Sequence, residues 1–234
     1  MKKLNTILAA VSALLMLTVT SANSVEFKAG VSANGMAAFA NAKETIKGTT
    51  SSTQGTGRTT NEEAVLATSF ASVFAEVSSD AAMGLGIGIS YAPEVVELNK
   101  ETRNIQQAVT DEGDSGAQII DGKIVDLMSI YLTLPIGDSG AFIKAGYNQA
   151  TLNTEESLAT LSKYENIDLT GTQIGGGYEG SLGDMAFWRA EGALQMWDDI
   201  AANGSEAGGT SGSTNRIEAE LGSVTGALSV GMKF

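Results

Sequence analysis

The stretch Gly226-Ala-Leu-Ser-Val-Gly-Met-Lys-Phe234 constrains the fold more than any other part of the chain. Side chains of an extended backbone alternate with period 2. Leu228, Val230, Met232 and Phe234 therefore share one face, and Ala227, Ser229, Gly231 and Lys233 the other. The apolar face runs to the final residue. A terminus frays unless something ties it down. A closed barrel supplies the tie, because its last strand pairs with its first and no edge stays open.

The same alternation recurs upstream. Phe27, Ala29, Val31, Ala33, Ala37 and Phe39 oppose Lys28, Gly30, Ser32, Asn34 and Met36. Met83, Leu85, Ile87, Ile89 and Tyr91 alternate with Gly84, Gly86, Gly88 and Ser90, a bare face that suits close approach inside a narrow barrel. Further strands are expected over Ile124–Leu134, Ala141–Thr151, Asp168–Gly180, Met185–Trp197 and Ile217–Phe234. The stretch Glu63–Val77 also reads as a strand, but Val65, Ala67, Ala71, Val73 and Val77 oppose Leu66, Phe70, Phe74 and Glu76, so its two faces differ little. Pro93 is expected to end the third strand, and Glu155 to Leu161 to offer a helical turn.

Long polar connections (Asn41–Asn61, the acidic Glu94–Asp121, Asn153–Glu165 and Asp198–Asn215) alternate with short turns at Ser78–Asp80, Pro135–Asp138 and Ser181–Asp184. Eight strands joined by alternating long and short links predict an all-β, eight-stranded, antiparallel, transmembrane up-and-down β-barrel over residues 23–234. The terminal stretch resembles the last strand of bacterial outer-membrane β-barrels, which end in Phe with apolar residues alternating back from it. Leu134 to Tyr147 resembles the turn-and-strand hairpins of the OmpA/OmpX-type barrel family. That resemblance implies an outer-membrane, porin-family barrel of a Gram-negative bacterium. It further implies delivery by periplasmic chaperones and the insertion machinery, with Leu228, Val230, Met232 and Phe234 as the insertion signal.

Polarity decides between two barrels of this size. A lipocalin-like barrel is apolar inside, and a membrane barrel is apolar outside. The bulky faces here are apolar, whereas the opposite faces carry Gly, Ser and Asn with a few charges. Lys28, Lys144, Glu179, Arg189 and Glu191, with Glu76 as a sixth, are therefore expected to pair inside the lumen, because a charge removed from water needs a partner. Tyr91, Tyr147, Tyr178, Trp188 and Phe234 are expected at the lipid side as interfacial anchors.

Residues 1–22 read as a signal peptide: Lys2 and Lys3, an apolar run from Ile7 to Val19, then small residues with cleavage after Ala22 or Ser24. A net charge of −13 argues against nucleic acid as a partner. The chain has no histidine and no cysteine, which removes Ser–His, Asp–His and thiol mechanisms and zinc–thiolate sites. Gly175-Gly-Gly-Tyr-Glu-Gly180 fits a dinucleotide fingerprint formally, but a turn and a strand follow it where a helix is required. Asp111-Glu-Gly-Asp114 lacks the ligand spacing of a calcium loop. No cofactor is expected. The expected role is structural or surface-exposed and non-enzymatic, in contact with outer-membrane lipid and lipopolysaccharide. The alternatives are a narrow channel for small solutes and a secreted soluble ligand-binding barrel.

Overall fold

Alternating bulky and small side chains send the chain up and down one continuous sheet. The computed structural model describes residues 25–46, 58–80, 83–105, 116–157, 165–203 and 216–234. Its strands are β1 (Val25–Ile46), β2 (Arg58–Ser79), β3 (Leu85–Ile105), β4 (Gly116–Pro135), β5 (Ala141–Ser157), β6 (Ile167–Ser181), β7 (Ala186–Trp197), β8 (Ile200–Asn203) and β9 (Arg216–Lys233). Sequential neighbours pair antiparallel, and β9 returns to β1. The short β8 continues β7 across a one-residue bulge: Met196 pairs with Gly222, but Ile200 rather than Asp199 pairs with Ala219. The result is a closed barrel of eight staves. Its closure is complete at the last residue, where Phe27 and Phe234 exchange main-chain hydrogen bonds of 3.1 and 2.8 Å.

Glycine chemistry sets the short turns. Gly84, Gly137, Gly140 and Gly183 all take positive φ, a region that costs glycine little. Ser139 fastens its turn by donating to the carbonyl of Ile136 at 2.8 Å. The short turns and both ends of the barrel sequence gather at one rim, the periplasmic one in outer-membrane barrels.

The staves are longer than the sequence pattern predicts. β1 and β2 have 22 residues each, about twice the 9–11 that a tilted strand needs to cross a bilayer. The extra length changes polarity. Towards the short-turn rim the outer face is apolar, with Val31, Val73, Ile143, Leu228 and Val230 all exposed. Towards the other rim the outer face carries Asn41, Lys43, Glu63, Asp168 and Glu220. There the apolar side chains turn inward, and Met36, Ala92, Val95, Leu127, Ala150, Leu169 and Ile200 form a buried core. One set of strands thus holds two barrels end to end. The lower is apolar outside like a membrane barrel, and the upper is apolar inside like a soluble one.

Three local expectations are corrected. Pro93 does not end the third strand, which continues to Ile105 through irregular pairing between Glu94 and Val96. Glu155 and Glu156 extend β5 and are not helical. Stretches assigned to the polar connections on either side of 47–57 belong to β1 and β2 instead. Residues 1–24, which include the expected signal peptide, and the Asp111–Asp114 run lie outside the described residues.

One seam is incomplete. β2 and β3 pair only from Ser79↔Leu85 to Val73↔Tyr91. Yet β2 follows β1 as far as Arg58, and β3 follows β4 as far as Ile105. Beyond Tyr91 no backbone pairing joins the two strands among the described residues. A proline, which brings no N–H to a ladder, stands two residues past the last pair. Side chains close the gap: Thr68 Oγ1 donates to the carbonyl of Val95 at 3.1 Å, and Val95 is buried.

Candidate functional site: the lumen and its closures

Alternation points every second residue of the lower barrel inward, and the inward set contains the charges singled out in the sequence. Lys28 on β1 reaches Glu179 on β6 at 2.7 Å. Lys144 on β5 reaches Glu191 on β7 at 2.8 Å. Arg189 on β7 meets Glu179 at 2.6 Å and Glu191 at 3.4 Å. Its terminal nitrogens also hold both carboxylate oxygens of Glu76 on β2, at 3.0 and 3.1 Å. Three cations and three carboxylates thereby form one connected cluster, fed by β1, β2, β5, β6 and β7. Glu26 touches its edge through Lys28 at 3.1 Å.

The cluster is sheathed in aromatic rings, and the sequence reading missed them. Arg189 lies 5.5, 5.0 and 5.6 Å from the ring centroids of Phe74, Phe142 and Phe187. Lys144 lies 4.0 Å from that of Tyr131. These are distances at which a desolvated cation gains from a ring face. Each ring sits on a glycine directly across its strand pair: Phe74 on Gly30, Tyr131 on Gly88, Phe142 on Gly177 and Phe187 on Gly231. A Cβ at Gly30, Gly177 or Gly231 would come within 2.8, 2.8 or 2.7 Å of ring carbons. The four couples occupy β1/β2, β3/β4, β5/β6 and β7/β9, so every full stave gives either a ring or the glycine under it. The signal was present in the sequence. Phe74, Phe142 and Phe187 stand two residues before Glu76, Lys144 and Arg189, hence on the same face.

Between this cluster and the apolar core of the upper barrel lies a cavity of about 60 Å³. Asn34, Ser72, Ser90, Ser129, Gln173 and Gln195 contribute to its wall. Much of the wall is internally bonded: Ser129 donates to Asn148 Oδ1 at 2.7 Å and Ser223 to Gln195 Oε1 at 2.8 Å. Two buried amide nitrogens, Gln173 Nε2 and Asn148 Nδ2, have no partner.

On the outside, Leu228, Val230, Met232 and Phe234 form an unbroken exposed row on β9. Tyr147, Tyr178 and Trp188 are also exposed, the last two with ring centroids 5.7 Å apart. Tyr91 is instead half-buried and donates to Asp126 Oδ1 at 2.6 Å. Asp126 occupies a bulge with φ of 55°. Among the described residues no group of acidic side chains is arranged to hold a metal.

No protein-family model and no curated protein matches the chain. Among solved structures, the outer membrane protein OprG from Pseudomonas aeruginosa is similar at a TM-score of 0.47 and 13% identity, over 91% of this chain and 97% of that one. The outer membrane protease OmpT from Escherichia coli is similar at 0.43 and 11%, over 89% and 97%. Neisserial surface protein A is similar at 0.34 and 12%, over 87% and 97%. The polarity of the barrel itself is decisive. A bilayer leaves a spanning backbone no partner but itself, and only helices and closed barrels meet that demand. A closed sheet that bonds its charges inside and turns bare Leu, Val and Ile outward is built for that solvent, and the described residues form a closed, membrane-type β-barrel.

Proposed function

We propose that this barrel is a non-enzymatic, non-conducting outer-membrane protein whose role is structural or surface-displayed. The observation that carries this reading is a lumen blocked twice. At the short-turn end the Arg189 cluster and its four rings cross the bore. At the other end the core around Leu127, Leu169 and Ile200 fills it with apolar side chains. Ions would have to break buried pairs at one stop and shed water at the next. An eight-stranded barrel is in any case nearly filled by its own side chains.

What remains available is the outside. The lower girdle contacts outer-membrane lipid and lipopolysaccharide acyl chains, and the polar upper wall carries the long connections away from the membrane surface. The row Leu228, Val230, Met232 and Phe234 serves as the address read by the insertion machinery, after periplasmic chaperones have held the unfolded chain.

Single-channel recording of the refolded protein in planar bilayers tests the closed lumen. No conductance steps are expected. Steady steps from the unmodified protein would favour the narrow-channel alternative, with Lys28, Lys144, Glu179, Arg189 and Glu191 as its gate.

A further inference from the structure

We infer that the incomplete seam between β2 and β3 is a side entrance to the lumen cavity, and that the cavity takes a small, neutral solute rich in hydrogen-bond acceptors. The inference rests on the reading that the bore is closed along its axis, which leaves the wall as the way in.

Two independent observations meet at this place. The first is topological: β2 and β3 lose their backbone pairing above Val73↔Tyr91. The last paired residues are followed on each strand by cavity wall, Ser72 and Phe70 on β2 and Ala92 on β3. The cavity thus sits directly behind the point where the ladder stops. At the other seams main-chain pairing runs on past bulges and resists parting, since each bond lost without water leaves a costly unpaired group. Here the closure consists of side chains, with one Thr68–Val95 bond among them.

The second observation is chemical. Gln173 is 7% exposed, lines the cavity and has an unpaired amide nitrogen. Asn148, fully buried and bonded to the wall residue Ser129, has another. Both free groups are donors, Gln173 in the cavity wall and Asn148 one layer behind it at Ser129. A buried donor without a partner is costly enough that native proteins rarely leave one unpaired, so the occupant presents acceptors. Charge decides its class. Lys144 and Glu191, the two members of the charge cluster that stand in the cavity wall, already pair with each other at 2.8 Å, and an ion added beside them would bring uncompensated charge into a poorly hydrated space. Size sets the limit: about 60 Å³ admits water or a solute of a few heavy atoms.

The chain has no cysteine, so a lock can be added without interference. The side-chain amide signals of Gln173 and Asn148 are followed by NMR in the full barrel during titration with acetamide, a small neutral carbonyl solute. Saturable shifts of both are expected in the unmodified protein. In Thr68→Cys/Val95→Cys they should vanish on oxidation and return on reduction. Ser72→Trp, which fills the cavity mouth without a cross-link, should abolish them if the disulfide variant does not fold. No shift in the unmodified protein would overturn the binding site. Shifts that persist through the lock would overturn the entrance. Neither result touches the closed axis, which conductance tests by itself.

Discussion

Arg189 on β7 and Glu76 on β2 join opposite walls of the barrel through two parallel hydrogen bonds, 3.0 and 3.1 Å long. Their side chains are 3% and 2% exposed. A bidentate pair of this kind fixes direction as well as distance, so it sets how far apart two non-adjacent staves stand.

Removing one partner should cost far more than removing both. In Arg189→Met, Glu76 and Glu179 lose their shared cation while staying buried, a loss of about 3–5 kcal/mol. Adding Glu76→Gln to that variant should restore part of the loss, because one stranded charge disappears. Urea unfolding followed by the fluorescence of Trp188 and Trp197 in lipid vesicles reads both. Additive losses in the double variant would mean that the two side chains are not coupled.

The rings predict an asymmetry among glycines. Gly88 and Gly231 lie under Tyr131 and Phe187, so Gly88→Ala and Gly231→Ala should each destabilise by about 1–3 kcal/mol through overpacking. Gly35 and Gly226 are cross-strand partners on the outer face with open space around them. Alanine there should be neutral or stabilising by up to about 1 kcal/mol, since it restricts the unfolded chain. Equal effects in the two sets would refute the ring-on-glycine packing.

Polarity reversal along the staves is testable by charge placement. Leu228 points outward within the girdle and is 68% exposed, so Leu228→Arg should cost about 2–4 kcal/mol near the bilayer midplane. Leu221, seven residues earlier on the same strand, faces the apolar core of the upper barrel. Leu221→Arg should also destabilise, but from inside. Glu63→Lys, on the polar outer wall, should change stability by less than about 0.5 kcal/mol. Refolding yield into vesicles, read by heat-modifiable migration, ranks the three.

This reversal also explains what the sequence did and did not disclose. Where only one face is apolar, as from Leu85 to Tyr91 or from Leu228 to Phe234, alternation alone placed the strand and its lipid side. On β2 the upper barrel needs Leu66 and Phe70 inside while Val65 and Ala67 stay outside, and below them Val73 faces out in the girdle. Both faces are then apolar and the period-2 signal fades. The same switch hid the upper part of β1, where the outward Asn41 and Lys43 are polar and resemble a loop. Pro93 reads as a strand end because proline breaks a ladder, but it sits at the open seam, where no partner strand requires its N–H. The charged residues of the lumen were legible because few charges fall on strand faces at all. Their mutual distances were not, because the stagger between staves is a property of the closed sheet. Interior aromatics escaped notice for the opposite reason: a phenylalanine is expected on the apolar face, and only its spacing from Glu76, Lys144 or Arg189 marks it as inward.

Phe234 separates closure from address. Its main-chain bonds to Phe27 tie the barrel shut and do not depend on the ring. Phe234→Ala retains both bonds, so the refolded variant should unfold in urea within about 1 kcal/mol of the unmodified protein, the usual range for an exposed position. Deleting Phe234 removes the bonds as well and should lower stability further. In cells the order should change. If the row Leu228, Val230, Met232 and Phe234 is read during insertion, Phe234→Ala should cut the assembled, heat-modifiable fraction nearly as much as the deletion does. A Phe234→Ala variant that assembles normally in cells would leave the residue a structural clasp and remove its role as a signal.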